Sequence, residues 1–348
     1  GNAVSIAAVS FLASTAPFHC SHFGRPVVGI SHEHLRKRAR GFHSGMKPCY
    51  IWITALWAVN AAEPQEFRAT KLRTLVHEGA PFTQGLELAD ESTLIETSGA
   101  YPPGTASFVR FLDLETGMEK QNGNSGLVGR FAEGVARTKD GWLVTTYSDH
   151  KALRYGQNLE LVSEEEYPWQ GWGFAHDTKQ DKFLATDGSV NMMQLNPETL
   201  ALEKKKAVTC MGYEVQGMNE LEFVEDFAGQ GPVLFGNLYR TRIVLGIDPN
   251  TFECKCFFDL DGFGEQPESE RMGFHVANGI AYLPKSNSFI VTGKNWKEMF
   301  EISLEAETFG SAAKLKHWLK NNPAQSMLQI PQSSSRSRIL RSIKSHVN

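Results

Sequence analysis

Five short segments of this 348-residue chain set single polar residues among aromatic and glycine neighbours. They are Phe82-Thr83-Gln84-Gly85-Leu86, Phe131-Ala132-Glu133-Gly134, Gly171-Trp172-Gly173, Met218-Asn219-Glu220-Leu221-Glu222 and Thr292-Gly293-Lys294. A glutamate beside Phe131 can have its pKa raised toward neutrality by apolar surroundings, and such a carboxyl can both take and give a proton. Side chains of the kind found at Lys294, Asn219 and Gln84 can donate to an oxygen that gains charge during a reaction. Taken singly, each residue has a plainer use. A Glu before Gly is usually an exposed turn acid, and a Lys after Gly a solvated one. A Trp between glycines is more often packing than a substrate wall. Asn219 alone would cap a turn, and Gln84 alone would pair with backbone. The chemistry therefore depends on whether the fold brings the five segments together.

The elements that carry them repeat. A small or polar residue, an apolar residue, a polar turn and a β-rich run recur five times. The copies start at Gly85-Leu86, Gly134-Val135, Gly173-Phe174, Glu220-Leu221 and Gly279-Ile280 and lead to runs such as Leu94–Thr97, Trp142–Thr145 and Phe289–Thr292. A second phrase follows each copy in step, an apolar strand ending in a turn, as in Phe111-Leu112-Asp113 before Glu115-Thr116-Gly117 and Leu245-Gly246-Ile247 before Asp248-Pro249-Asn250-Thr251. Asp-Pro-x-Thr and Glu-Thr-Gly are turn chemistry between antiparallel strands. Successive apolar anchors lie 49, 39, 47 and 59 residues apart. Five units of that size, each with several short strands, predict an all-β, five-bladed β-propeller over residues 63–310. Two stacked β-sandwiches would not explain two phrases repeating in register. Each of the five segments falls at a blade boundary, so all five should meet near the channel mouth.

Charge marks the boundaries of this domain. Residues 1–62 hold six Lys/Arg against one acid and residues 311–348 hold seven against none, which leaves 63–310 with a net charge of −16. A body that acidic is not built to bind nucleic acid. No apolar run is long enough for a membrane-spanning bundle. Met46-Lys47, the apolar stretch Cys49–Val59 and the small residues Ala61-Ala62 read as a secretory signal peptide over 46–62, with cleavage expected after Ala62. Residues 1–45 then read as an upstream leader, or alternatively as an organellar transit segment. A secreted or secretory-lumen protein is expected. Residues 311–348 read as a basic, flexible tail, with at most a short amphipathic helical stretch between Lys314 and Lys320 before Pro323. Of the cysteines, Cys20 and Cys49 fall in the leader. Cys254 and Cys256 sit two apart on a strand-like run, so they should share one face. One bridge from Cys210 to either is open in an oxidising compartment.

The phrases resemble the plant and bacterial type of glutaminyl-peptide cyclotransferase across nearly all of 75–305. The matching phrases are Phe82-Thr-Gln-Gly-Leu86, Ile95-Glu-Thr-Ser-Gly99 with Tyr101, Gly171-Trp-Gly173 and Thr186-Asp-Gly-Ser189, then Asn219-Glu-Leu-Glu222, Ile247-Asp-Pro249, Asn278-Gly-Ile-Ala281 and Val291-Thr-Gly-Lys294 with Trp296. Eight phrases in the family's order carry the resemblance, which also implies a five-bladed propeller. It places active-site positions on Phe82, Gln84, Phe131, Glu133, Trp172, Asn219 and Lys294. Three residues depart from the pattern: Ala132 stands where the family usually has Gly, and Tyr147 and Tyr239 where it usually has Trp. The tyrosines keep an aromatic wall but add hydroxyls, which bears on specificity more than on chemistry.

The implied activity closes an N-terminal glutamine onto itself, leaving pyroglutamate and ammonia. Both reacting groups already belong to one molecule, so orientation supplies much of the rate. A proton must leave the attacking amine and reach the departing nitrogen. Glu133 is the expected shuttle, with Lys294, Asn219 or Gln84 facing the oxyanion, and Phe82, Phe131, Tyr147, Trp172 and Tyr239 forming the substrate wall. The expected partners are peptides or proteins that begin with Gln, met by a monomer without a cofactor. His77, His150, His176 and His275 show no zinc spacing. A structural calcium ion near Glu220 or Glu222 is the one metal the channel would suit. Two rival readings follow from the same residues: a propeller that has lost catalysis and binds as a scaffold, and a calcium-dependent, lactonase-like propeller.

Overall fold

The computed structural model describes residues 63–100, 105–264, 275–307 and 312–321. The expected leader over 1–62, Tyr101 and residues 322–348 lie outside them. The described chain is almost entirely β. Strand β1 (Gln65–Val76) comes first. Three four-stranded antiparallel sheets follow in chain order. The first holds β2 (Thr83–Asp90), β3 (Thr93–Ser98), β4 (Phe108–Asp113) and β5 (Glu119–Gly123). The second holds β6 (Ala132–Arg137), β7 (Gly141–Thr146), β8 (Lys151–Gly156) and β9 (Leu161–Glu166). The third holds β10 (Phe174–Asp177), β11 (Lys182–Thr186), β12 (Asn191–Leu195) and β13 (Leu202–Ala207).

A short hairpin, β14 (Thr209–Cys210) with β15 (Tyr213–Glu214), leads to β16 (Met218–Val224), β17 (Val233–Leu238), β18 (Ile243–Ile247) and β19 (Cys254–Asp259). The last strands are β20 (Ala277–Leu283), β21 (Ser288–Gly293) and β22 (Glu298–Ala306). These seven join β1 in one eight-stranded sheet, in the order β16-β17-β18-β19-β1-β22-β21-β20. Strand β1 runs antiparallel to β22 and parallel to β19, so the beginning of the described chain stitches its last two strand groups together. Local turn chemistry cannot announce such a pairing, because its partners lie more than 180 residues away.

The first strands of the five groups adjoin in a cycle: β2 beside β6, β6 beside β10, β10 beside β16, β16 beside β20, and β20 beside β2. The glycine of the repeated phrase explains how they come so close. A Cβ on Gly173 would lie 1.8 Å from the Asn219 carbonyl oxygen, and one on Gly134 would lie 2.7 Å from the Phe174 nitrogen. In the fourth copy Glu220 replaces the glycine and uses the same crowded position differently. Its two oxygens accept the backbone N–H groups of Leu86 (3.2 Å) and Ile280 (2.9 Å), tying β16 to β2 and β20.

Between the groups lie apolar layers, the richest being Phe227, Phe235, Phe258 and Phe289 beside Phe67. These rings meet mostly edge to face at centroid distances of 5.0–6.2 Å, the arrangement their quadrupoles favour.

Two expectations change here. Cys210 is bridged to Cys254, and Cys256 is free and buried. The two strand cysteines do not share a face. Residue 255 is extra in the register between β18 and β19, so Cys254 packs with the Leu245 and Ile247 layer while Cys256 joins the Phe258 layer. The expected tail is also not free of the fold throughout. Helix α1 (Ala313–Asn321) buries Leu315 and Leu319 in the layer that holds Val208, Cys210 and Val215, with Trp318 packed against it. An amphipathic turn over a hairpin that leaves apolar side chains uncovered accounts for that contact.

Candidate active site

The residue just before the repeated glycine is Gln84, Glu133, Trp172, Asn219 and Asn278 in the five copies, with Glu220 standing for glycine in the fourth. Four of these five lie at irregularities of the strand register. The pairing shifts between Thr83 and Gly85, between Ala132 and Val135, between Met218 and Leu221, and between Ala277 and Ile280. A bulge re-aims a side chain that a regular strand would direct to a sheet face. The fold thus turns one polar or aromatic side chain per copy out of the sheets, all at the same end of the adjoining first strands. The second strands help hold these bulges: the Thr97 hydroxyl donates to the Glu133 carbonyl (2.5 Å), and the Gly173 N–H donates to the Thr186 hydroxyl (3.0 Å).

Most of the residues singled out from the sequence come together. Lys294 Nζ donates to Gln84 Oε1 at 2.5 Å, and Gln84 Nε2 donates to Glu133 Oε1 at 3.3 Å. The Lys294 ammonium stands 4.7 Å from the centre of the Phe82 ring and 5.7 Å from that of Tyr239. Phe82 meets Phe131 edge to face at 6.0 Å, and Phe131 meets Tyr147 at 6.1 Å. Tyr239 meets Trp172 at 5.4 Å. Glycine seats fix two of these rings: a Cβ on Gly99 would lie 2.1 Å from Phe131, and one on Gly188 would lie 2.5 Å from Trp172. Gly188 has φ +76°, a second reason for glycine there. Asn219 enters through the backbone, its carbonyl against Gly173 beside Trp172.

The sequence reading passed over Asn278 as a site residue. Its Nδ2 donates to the Thr83 carbonyl (2.9 Å) and to Gln84 Oε1 (3.4 Å). The signal was available, because Asn278 holds in the fifth copy the position that Gln84, Glu133, Trp172 and Asn219 hold in the others.

Burial sets the electrostatics. Glu133 is 5% exposed and its carboxyl is pushed well above the usual carboxylate range by desolvation, which the Lys294 charge only partly offsets. Lys294, 3% exposed, is pushed down to about 8 by the same desolvation, against the pull of Glu133. Tyr147 is raised by burial and by the Glu133 charge. Among the described residues, three buried polar atoms here have no hydrogen-bond partner: Trp172 Nε1, Asn219 Oδ1 and Asn278 Oδ1. One donor and two acceptors are what a primary amide with a neighbouring amine would engage. Asn219 therefore offers an acceptor oxygen beside its amide donor.

Glu220 and Glu222 are engaged by the backbone of neighbouring strands. Both oxygens of Glu220 already accept backbone N–H groups, and Glu222 Oε1 accepts that of Tyr282 at 2.8 Å. Among the described residues no group of three or more His, Cys, Asp or Glu could hold a metal ion.

Comparison with known proteins identifies the family. The chain is 28% identical over 236 residues to the glutaminyl-peptide cyclotransferase of Arabidopsis thaliana, an alignment covering 66% of this chain and 69% of that one. The crystal structure of Myxococcus xanthus glutaminyl cyclase superposes with a TM-score of 0.60 at 26% identity, covering 70% of this chain and all of the other. The family model for glutamine cyclotransferase matches residues 48–304. With most of its length in that match, the chain belongs to the glutamine cyclotransferase family.

Proposed function

We propose that the protein is a glutaminyl-peptide cyclotransferase, acting on peptides or proteins with an N-terminal glutamine. The five strand groups are read as the blades of a five-bladed propeller. The cycle of adjoining first strands, and β1 as the outer strand of the fifth blade, support that reading. The observation that carries the function is the Glu133–Gln84–Lys294 chain of contacts inside an aromatic wall, in a member of this family.

The chemistry follows from the atoms available. The α-amine of the substrate has an ordinary pKa of about 7.7–8.0. A carboxylate raised well above its ordinary range, as Glu133 is, is a better match to receive its proton than an ordinary one. The amine nitrogen attacks the γ-carbonyl carbon, the carbonyl π electrons move to oxygen, and Glu133 takes the proton released from nitrogen. When the tetrahedral carbon collapses, the C–N bond to the amide nitrogen breaks and Glu133 returns its proton to that nitrogen. Ammonia and the five-membered lactam leave, and Glu133 is ionised as it began. Trp172 Nε1 and the Lys294 ammonium are the donors for the oxyanion, a pair whose effect is strengthened by exclusion of water. Asn219 Oδ1 and Asn278 Oδ1 accept N–H groups of the amine and amide, orienting one toward the other. Tyr147, 37% exposed, forms the outer wall, where the rest of a peptide would pass.

The Cys210–Cys254 bridge supports a secreted or secretory-lumen setting, since such bridges persist in oxidising compartments. Ammonia release from a Gln-initiated peptide, with loss of a reactive N-terminus, tests the proposal. Binding of that peptide without ammonia release would instead favour a scaffold.

A further inference from the structure

Behind the site lies a second buried charge group that the chemistry above does not use. Glu96, His77 and Arg110 are 0%, 2% and 3% exposed. Glu96 Oε1 accepts from the Thr83 hydroxyl (2.6 Å) and faces His77 Nε2 (2.7 Å), while Oε2 accepts from Arg110 Nε (2.9 Å) and lies 2.8 Å from its NH2 group. On the other side of the imidazole, Nδ1 faces the Trp296 carbonyl (2.9 Å) and the Thr292 hydroxyl (3.1 Å). That hydroxyl donates its own hydrogen to the Glu298 carbonyl (3.0 Å), so at Nδ1 it can only accept. Both ring nitrogens of His77 thus face acceptors, and the geometry calls for a hydrogen on each. Burial alone would raise Glu96, but the His77 and Arg110 charges hold it down at about 2.

The contacts are placed on either side of two site residues. Thr83 immediately precedes Gln84. Thr292 and Trp296 lie two residues before and two after Lys294, on a turn closed by the Trp296 N–H to the Gly293 carbonyl (3.1 Å). Asn295 within that turn has φ +59°, a left-handed conformation that asparagine adopts more readily than other non-glycine residues. Its N–H is held by the Pro81 carbonyl (2.8 Å), next to Phe82. His77 therefore grips the Lys294 turn at both ends, and Glu96 grips the strand start that carries Gln84. The Lys294–Gln84 contact joins the two held segments.

We propose that His77 and Glu96 are positioning residues, whose buried pair sets the distance between Lys294 and Gln84 and through them the orientation of Glu133. This rests on the cyclotransferase reading only for its kinetic consequence. Thr83→Val removes the hydroxyl that couples the pair to Gln84 at nearly constant volume, and Thr83→Ser restores it. The groups acting on Lys294 are Glu133 and Gln84 with the Phe82 and Tyr239 rings, none of which the substitution itself alters. Loosened, Lys294 gains water and its titration moves up from about 8 toward the ordinary 10.5.

The test measures kcat and KM for a Gln-initiated peptide, and the titration of Lys294 by NMR of 13Cε-labelled lysine assigned with Lys294→Arg. For Thr83→Val the expected result is a fall in kcat of about tenfold, little change in KM and an upward-shifted Lys294 titration, with Thr83→Ser near wild type on all three. A folded Thr83→Val protein with wild-type kcat and wild-type Lys294 titration would overturn the proposal. Thr292→Val, controlled by Thr292→Ser, asks the same question from the other strand and serves if Thr83→Val does not fold. Should the wild-type protein release no ammonia, the function reading fails but the titration still decides this one: a shift supports positioning, and no shift refutes it.

Discussion

Glu96 and Glu133 are both shut away from water, in neighbouring strand groups, yet burial leaves them in opposite states. Glu96 is surrounded by the Thr83 hydroxyl, the His77 ring and the Arg110 guanidinium and is held at about 2. Glu133 is met by one side-chain donor, the Gln84 amide at 3.3 Å, and desolvation drives it up despite the Lys294 charge. Burial alone therefore does not make a carboxyl reactive; the donors around it decide which form survives. A carboxylate saturated by fixed donors becomes a brace. One left short of donors can exchange a proton, and that is the chemistry assigned to it here. Glu220 shows an intermediate case, bonded by two backbone N–H groups but still raised by desolvation.

The largest effect should come from removing the exchangeable proton. Glu133→Gln should lower the rate of ammonia release by about 10²–10⁴-fold, the usual worth of general acid–base catalysis, while thermal unfolding changes little. The same exchange at Glu96 should act on the other axis. Glu96→Gln places an amide where Thr83, His77 and Arg110 all donate, and should cost about 3–5 kcal/mol, as breaking a buried charge network does. That contrast between activity and stability is read from a melting curve and a rate.

Lys294→Met sharpens the account through pH. Ionised Glu133 is the form that starts the reaction, so activity should fall as pH drops through its raised pKa. The Lys294 charge lowers that pKa, so its loss should move the acid limb of kcat/KM to higher pH, together with a rate decrease of about 10²-fold. In the wild-type enzyme the alkaline limb should fall near about 8, where Lys294 gives up its proton.

Trp172→Phe keeps a ring against Gly188 but deletes the unpartnered Nε1–H. A loss of about tenfold in kcat/KM is expected, as for one hydrogen bond of about 1.4 kcal/mol. The smallest effect concerns the far end of the first strands, where Glu87 is raised to about 7 by desolvation, against the Arg137 charge and N–H. Its folded-state pKa exceeds that of the unfolded chain, so folding retains a proton that the unfolded state loses above about 4.5. Stability from this group is full below that value and is lost as pH rises through 7. Glu87→Gln should flatten the melting temperature between pH 5 and 7.5 by a few degrees, and an unchanged slope would rule the group out as its source.

Much of this arrangement was legible in the sequence, and the rest was not for identifiable reasons. The repeat announced five similar strand groups, while the reason for its glycines, that only glycine fits where Gly173 meets Asn219, needed the structure. Glu133, Gln84 and Lys294 stood out as polar residues the repeat does not need, and the family resemblance is what made them site candidates. Asn278 went unnoticed because an Asn before Gly reads first as a turn. The pairing of Cys210 with Cys254 rather than Cys256 depends on one extra residue in the register at 255, which alternation alone hides. His77 follows β1 and Glu96 lies on β3, while Thr292 and Trp296 come from the far end of the chain; the pairing of β1 with β22 and the adjoining of β2 and β20 make them one group. Strand β1 was obscure for the same reason, and helix α1, though expected as a short amphipathic stretch, gave no local sign of the layer it packs against.

The central claim is that Glu133 is a buried carboxyl, raised well above the usual carboxylate range, whose proton is exchanged in the reaction. Infrared difference spectra between the wild-type protein and Glu133→Gln, taken across pH, isolate that one group from Glu87, Glu220 and Glu222. The account predicts a protonated-carboxyl band in the difference spectrum that persists well above pH 4.5 and disappears in step with the acid limb of kcat/KM. A Glu133 already ionised at pH 5, with no such band, would contradict it.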